Sequence, residues 1–159
     1  MPRKGQVKPR RSNGDAIFGN KMIAKLINRA MYDGKKSVAE KQIYQALDII
    51  QKQTNDDPLN TFNAAIDNIR PTMEVRPRRV GGASYQVPMS VRGTRRDSLA
   101  IRWLVAAARA KSNSEFHTFG AKLASELLDA AKLEGGAVKK RLEVEKVAEA
   151  NRAFAHFRW

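Results

Sequence analysis

Arg76, Arg78 and Arg79 close on a Gly81-Gly82 pair, a dense cationic run suited to gripping a polyanion. They belong to a wider pattern. Residues 70–96 hold seven arginines and one acid, residues 1–36 ten lysines and arginines against two acids, and residues 135–159 six against three. Between them, residues 37–69 carry two bases and five acids, and residues 97–134 carry five of each. The net charge of +14 is therefore gathered into three blocks. A general solubility device spreads charge more evenly, whereas clustering favours a polyanionic partner. Solvated faces are the bland alternative for each block. The final stretch, Asn151-Arg152-Ala153-Phe154-Ala155-His156-Phe157-Arg158-Trp159, interleaves rings with arginines. Such rings can stack on bases while the cations meet phosphates, or fold back onto the body as core, and the sequence leaves both open.

Catalytic chemistry has little to stand on. With no cysteine there is no thiol nucleophile, thiolate metal site or disulfide. The two histidines, His117 and His156, have no partner at metal-ligand spacing. Gly34-Lys35 does not make a phosphate loop, because Arg29 stands where the first glycine is needed and Lys36 where a Ser or Thr is needed. No dinucleotide-binding glycine pattern follows a strand. Asp67 and Glu74 read as a helix-face charge and a strand-face charge.

These side chains need elements to hold them. Met73, Val75, Tyr85, Val87, Met89 and Val91 recur at period two about the glycines and predict a β-hairpin over 72–91. If Met73, Val75 and Pro77 share a face with Tyr85, Val87 and Met89, the connection is odd-numbered, for instance Val80-Gly81-Gly82. Glu74, Arg76, Arg78, Ser84 and Gln86 then line the other face. Pro77 and Pro88 argue against a central strand of a larger sheet. A lone two-stranded ribbon is marginal in water, so it should project from a larger body.

Periodicity supplies that body. A helix is predicted over 21–32, with Met22, Ile23, Leu26, Ile27, Ala30 and Met31 as its apolar stripe and Gly34 to end it. Ser37-Val38-Ala39-Glu40 reads as a capping box opening a helix to residue 53. Asp57-Pro58 opens a third helix that Pro71 stops. Thr94-Arg95-Arg96-Asp97 reads as the cap of a fourth, whose apolar density predicts the centre of the core. Arg95, Arg102 and Arg109 recur every seven residues along it and could lie along a phosphate backbone. A fifth helix is expected over 115–133, ended by Gly135-Gly136, and a sixth from residue 137 carrying Val138, Leu142 and Val147. Residues 1–14 cannot bury a core and predict a disordered basic arm. The expected fold is mainly α: one domain over 1–159, with a six-helix bundle-like body, a protruding two-stranded antiparallel β-hairpin, a disordered basic N-terminal arm and a basic-aromatic tail over 148–159. No apolar run approaches the roughly 20 residues that span a bilayer, and a cytoplasmic chain with no membrane partner is expected.

Several of these blocks occur together in one known family. Asp33-Gly34-Lys35-Lys36, Asn68-Ile69-Arg70-Pro71, Arg78 through Pro88, Arg95-Arg96, Ala100-Ile101-Arg102-Trp103, Ala137-Val138-Lys139-Lys140-Arg141 and Ala148-Glu149-Ala150-Asn151 stand here in that family's order. Over nearly its whole length the chain resembles the bacterial small-subunit ribosomal protein seven family (universal small-subunit protein seven). Pro77, where a small non-proline residue is usual, and Phe157, where tyrosine is usual, depart from it. The resemblance implies a non-enzymatic ribosomal protein, without cofactor, that binds small-subunit ribosomal RNA early and lets the head domain fold around it. It implies RNA contacts from Arg3, Lys4, Lys8, Arg10 and Arg11 in the arm, and from Lys21, Lys25, Arg29, Lys35 and Lys36 about the first helix. Arg70, Arg76 and Arg92 would contribute at the hairpin base, and Arg95, Arg96, Arg102 and Arg109 on the fourth helix. It places exit-site transfer RNA near Arg78, Arg79, Val80, Gly81, Gly82, Ala83 and Tyr85, and near Lys139, Lys140 and Arg141. Small-subunit protein eleven would stand across the messenger exit path, among other head proteins. The rival readings are an architectural DNA-binding protein and an RNA-modifying enzyme.

Overall fold

The computed structural model describes Gly5 and residues 13–157. The arm cations Arg3, Lys4, Lys8, Arg10 and Arg11 lie outside the described residues, as do Arg158 and Trp159. Six helices and one hairpin follow in order: α1 (Lys21–Ala30), α2 (Lys36–Thr54), α3 (Pro58–Ile69), β1 (Met73–Val80), β2 (Ala83–Ser90), α4 (Thr94–Ala110), α5 (Phe119–Ala131) and α6 (Gly135–Ala150). A short 3₁₀ helix (Arg152–Phe157) closes the chain. The expected mainly α architecture is the observed one.

Ile23, Leu26 and Ile27 of α1, Ile43, Leu47 and Ile50 of α2, and Phe62, Ile66 and Ile69 of α3 bury their apolar stripes in one core. The centre of that core is α5 rather than the predicted α4. Leu123, Leu127 and Ala130 are fully buried because α5 packs against α2, α3, α4 and α6. Gly120 permits the close approach of α5 to α2, since a Cβ there would stand 2.8 Å from the Gln42 carbonyl oxygen. On α6 only Ala137, Val138 and Ala148 are buried, and Leu142 and Val147 are exposed.

Several predicted boundaries shift, and the helix starts among them share a physical reason: a cap is defined by backbone geometry as well as by residue type. Asn20 and Asp57 do cap α1 and α3, accepting the N–H of Met22 and Leu59. Ser37 does not cap α2, because Gly34 at φ 72° turns the chain early and Lys35 takes the cap position. Thr94 is likewise one residue inside α4, behind Gly93 at φ 55°. The fifth helix starts at Phe119, where the Thr118 hydroxyl accepts the Ala121 N–H, four residues after the predicted start. It also ends at Ala131, so that Gly135-Gly136 opens α6 instead of stopping α5.

The hairpin register also corrects the expectation. Val80 pairs with Ala83, Arg78 with Tyr85, Arg76 with Val87 and Glu74 with Met89. The connection is the two-residue Gly81-Gly82, at φ 58° and 88°, the doubly left-handed turn whose twist suits a tight hairpin. Glu74, Arg76 and Arg78 thus share a face with Tyr85, Val87 and Met89. Val87 and Glu74 are both buried. An ionised side chain takes an inward position there because arginines accompany it, which alternation of apolar residues does not reveal.

The root of the N-terminal segment is tied to α2. The Asp15 carboxylate accepts the Ile17 and Phe18 N–H groups at 3.2 and 3.1 Å and the Tyr44 hydroxyl at 2.5 Å. Burial pushes the Asp15 pKa up, but the hydrogen bonds from Tyr44, Phe18, Ile17 and Ala16 outweigh it and hold the carboxyl below its ordinary value. Burial, the Asp15 hydrogen bond and the charges of Asp15 and Glu40 push the Tyr44 phenol from 10.0 to about 12. A phenol whose folded pKa is raised contributes stability that is complete below the unfolded value and lost as pH rises through the folded one. Tyr44→Phe is expected to cost about 1.5 kcal/mol near neutral pH, for one hydrogen bond to a charged acceptor. Denaturant titrations across pH 9–12 should show that difference vanish between pH 10 and about 12. A constant difference would exclude the coupling.

Candidate nucleic-acid interface

The helices α1 and α4 pack against each other. Lys25 Nζ, midway along α1, stands 3.4 Å from Asp97 in the first turn of α4, and Arg109 Nη2 near the end of α4 donates to the carbonyl of Ala30, the last residue of α1, at 3.0 Å. Between residues 25–29 of α1 and the N-terminal half of α4 opens a groove of about 610 Å³ lined by Lys25, Asn28, Arg29, Thr94, Arg95, Ser98 and Ile101. Its polar rim is cationic and its floor apolar. Arg102, one heptad past Arg95, continues the rim and is exposed. Arg109 ends the predicted guanidinium stripe differently, since it lies 4.1 Å over the Tyr32 ring.

Two acids organise this surface. Asp97 accepts from Arg70 Nε at 3.0 Å and pairs with Arg70 Nη2 at 2.9 Å and with Lys25. Arg70 also pairs with Asp67. Arg70 and Lys25 therefore join α1, the end of α3 and α4 while keeping about a third or less of their side chains in water. Glu74 does the same for the hairpin. Its Oε1 accepts from Arg76 Nε at 2.6 Å, and its Oε2 accepts from Arg95 at 3.1 and 3.2 Å. Burial raises the Glu74 pKa, yet the hydrogen bonds and charges of Arg76 and Arg95 outweigh it and hold the carboxyl below its usual value. Asp97 and Glu74 were the functional residues that sequence reasoning missed; the available signal was their isolation among arginines.

The hairpin is braced on two further sides. Thr72 donates both its N–H and its hydroxyl to Glu145 Oε1 of α6, at 2.9 and 2.7 Å. Tyr85 meets Phe154 and Phe157 of the 3₁₀ helix, each with ring centroids 5.2 Å away. For these two rings the open alternative resolves as packing on the body. The tip itself, Arg79 and Gly81 through Ala83, is exposed.

The structure brings Lys25, Arg29 and Arg95 to one groove and leaves Arg102, Lys21, Lys35, Lys36 and Arg92 exposed. Arg96 is only partly exposed, with its Nε buried. On α6, Lys139 and Lys140 are exposed, Lys140 pairing with Glu143 at 2.7 Å, while Arg141 is largely covered beside Glu145. Among the described residues no group of three His, Asp or Glu could hold a metal ion, and no helix is long and apolar enough to cross a membrane.

Comparison with known proteins agrees with this geometry. The sequence profile described as "Ribosomal protein S7p/S5e" matches residues 2–152. The chain is 55% identical over 159 residues to the "Small ribosomal subunit protein uS7" of Caldicellulosiruptor bescii and 55% identical to that of Carboxydothermus hydrogenoformans. It is 54% identical to that of Afipia carboxidovorans, and in all three cases 100% of both chains is covered. The chain belongs to the ribosomal protein S7p/S5e family and is a structural component of the small ribosomal subunit, not an enzyme.

Proposed function

We propose that this protein binds small-subunit ribosomal RNA directly and early, and that the head domain of the subunit folds around it. The observation that carries the reading is the cationic α1–α4 groove continuing into a hairpin whose base is fixed to the same helix through Glu74 and Arg95. Helical RNA has a deep groove that side chains do not read, so binding rests on phosphates, ribose hydroxyls and junction shape. A rigid body carrying several separated cations suits that task, because it grips only an RNA whose phosphates are arranged to match. Lys21, Lys25, Arg29, Lys35, Lys36, Arg70, Arg76, Arg92, Arg95, Arg96, Arg102 and Arg109 supply or support the grip, with the arm cations of residues 1–14 adding to it. The single domain of residues 1–159 thus divides by task. The hairpin tip, Arg78 through Ala83, and the α6 cations Lys139, Lys140 and Arg141 approach exit-site transfer RNA. The messenger exit path and protein eleven lie beyond them, with the tail of residues 148–159 alongside. An open glycine tip suits close approach to a ligand backbone, since nothing lies within 4 Å of either glycine's Cβ position.

Competition binding tests the core of this reading. Full-length protein should prefer the folded head junction of small-subunit ribosomal RNA over an unstructured polyanion of equal charge by at least about 10²-fold at near-physiological salt. Equal affinity for the two would remove it.

A further inference from the structure

We propose that a cavity beside Tyr32 holds one unstacked nucleobase of the bound RNA, an inference that rests on the RNA-binding reading above. The cavity lies at the C-terminal ends of α1 and α4, where they meet the start of α2, and has a volume of about 320 Å³. That is near the lower end of the roughly 300–1,000 Å³ of small-ligand sites. Met31, Val38 and Phe119 give it apolar walls, Lys35 and Arg109 give it cations, and no carboxylate lines it. Tyr32 is 64% exposed although it is aromatic, and Val38 is 57% exposed. Isolated exposed apolar residues need no explanation, but these two border the same cavity.

The Tyr32 ring is held ready. The Arg109 guanidinium carbon lies 4.1 Å from the ring centroid, and Arg109 is itself fixed by its hydrogen bond to the Ala30 carbonyl. Arg109 is thus a positioning residue more than a free phosphate ligand. A fixed ring with a guanidinium behind it is a stacking platform of the kind single-stranded and unpaired bases use. The one amide lining the cavity, Gln42, is already engaged: its Oε1 accepts the Gly120 N–H at 3.0 Å and its Nε2 donates to Gln45 at 3.1 Å. Recognition here rests on stacking and shape, since these two hydrogen bonds fix the Gln42 amide and leave it one N–H to offer a base edge. The site also falls at the end of the cationic α1–α4 face, between Arg29 and Lys35, so phosphates tracking that face bring a bulged or loop base to it.

Equilibrium binding to the folded junction RNA tests this with full-length protein and three variants. Tyr32→Ala should weaken binding about 5- to 100-fold, the range for loss of one base–aromatic stack. It should leave the slope of log affinity against log salt unchanged, because no phosphate contact is removed. Tyr32→Phe, which keeps the ring, should bind within about twofold of the parent. Val38→Trp, which fills the cavity mouth and leaves residue 32 unchanged, should weaken binding as Tyr32→Ala does, and base-specific chemical probing should show one nucleotide losing protection in both. Parental affinity for both Tyr32→Ala and Val38→Trp would overturn the inference, as would a salt slope reduced by about one in Tyr32→Ala. So would intact RNA binding with loss of a protein neighbour from assembled particles, which would give the cavity to a protein side chain. If instead the parent protein shows no preference for the junction, it is the RNA-binding reading itself that fails.

Discussion

Alanine at Arg95, Arg96 and Arg102 together is expected to weaken binding to folded small-subunit ribosomal RNA on the order of 10²-fold at roughly 0.1 M salt. Each phosphate contact releases close to one counterion, so losing two or three makes the log–log salt dependence shallower by about 2 to 3. The three arginines fall on the first two and a half turns of α4, and Arg95 lines the groove shared with Lys25 and Arg29. The fold should survive. Glu74 keeps Arg76 at 2.5 Å when Arg95 is removed, and Arg102 makes no ion pair among the described residues. Binding isotherms at several salt concentrations, with circular dichroism to confirm the helices, decide the matter. A weaker complex with an unaltered slope would mean that these side chains act through the fold and not on phosphate.

Glu126→Ala carries the largest expected effect on stability, a loss of about 3–5 kcal/mol. The carboxylate is 1% exposed, accepts the Ala137 N–H at 2.8 Å and stands 3.3 Å from Lys111 Nζ. Removing one partner of a buried pair leaves the other charge uncompensated, and here it also strips an N–H at the start of α6 of its acceptor. Lys111 retains Asp129 at 2.7 Å and Ser125 at 2.8 Å, which places the effect toward the lower end. At 2–4 °C per kcal/mol for a chain of about this size, the melting temperature should fall by roughly 6–12 °C. Glu126→Gln keeps an acceptor for Ala137 and should lose less than half as much. A thermal melt indistinguishable from the parent would show that Lys111 and Ala137 find other partners. Gly135, at φ 89°, brings the chain so close that a Cβ would lie 2.8 Å from the Glu126 carboxylate. The glycine pair read as a stop for α5 is therefore the hinge that delivers α6 to this buried acid.

What the sequence made legible was whatever is local and periodic. The apolar stripes of α1, α2 and α3 mapped onto buried faces, and Asp57-Pro58 opened α3 as its residue types require. Ser37 and Thr94 misled because Ser/Thr-x-x-Glu/Asp also fits one residue inside a helix; a preceding glycine at positive φ, not the hydroxyl, decided the start. The hairpin register depended on what lies across from it. Glu74 turns inward because Arg95, 21 residues later, comes to meet it. The Arg109–Tyr32 stack, the Lys111–Glu126 pair and the Tyr85–Phe154–Phe157 cluster are contacts between distant segments, and no spacing rule contains them.

The amino end of α4, begun by Gly93, opens onto the groove through Thr94 and Arg95. Each peptide dipole array adds close to half a positive charge at such an end. The face built from Lys25, Arg29 and Arg95 therefore stands in a field that belongs to the main chain as well as to its side chains, and Asp97 offsets only part of it. Lysine modification would diminish the side-chain share of that field and leave the backbone share standing.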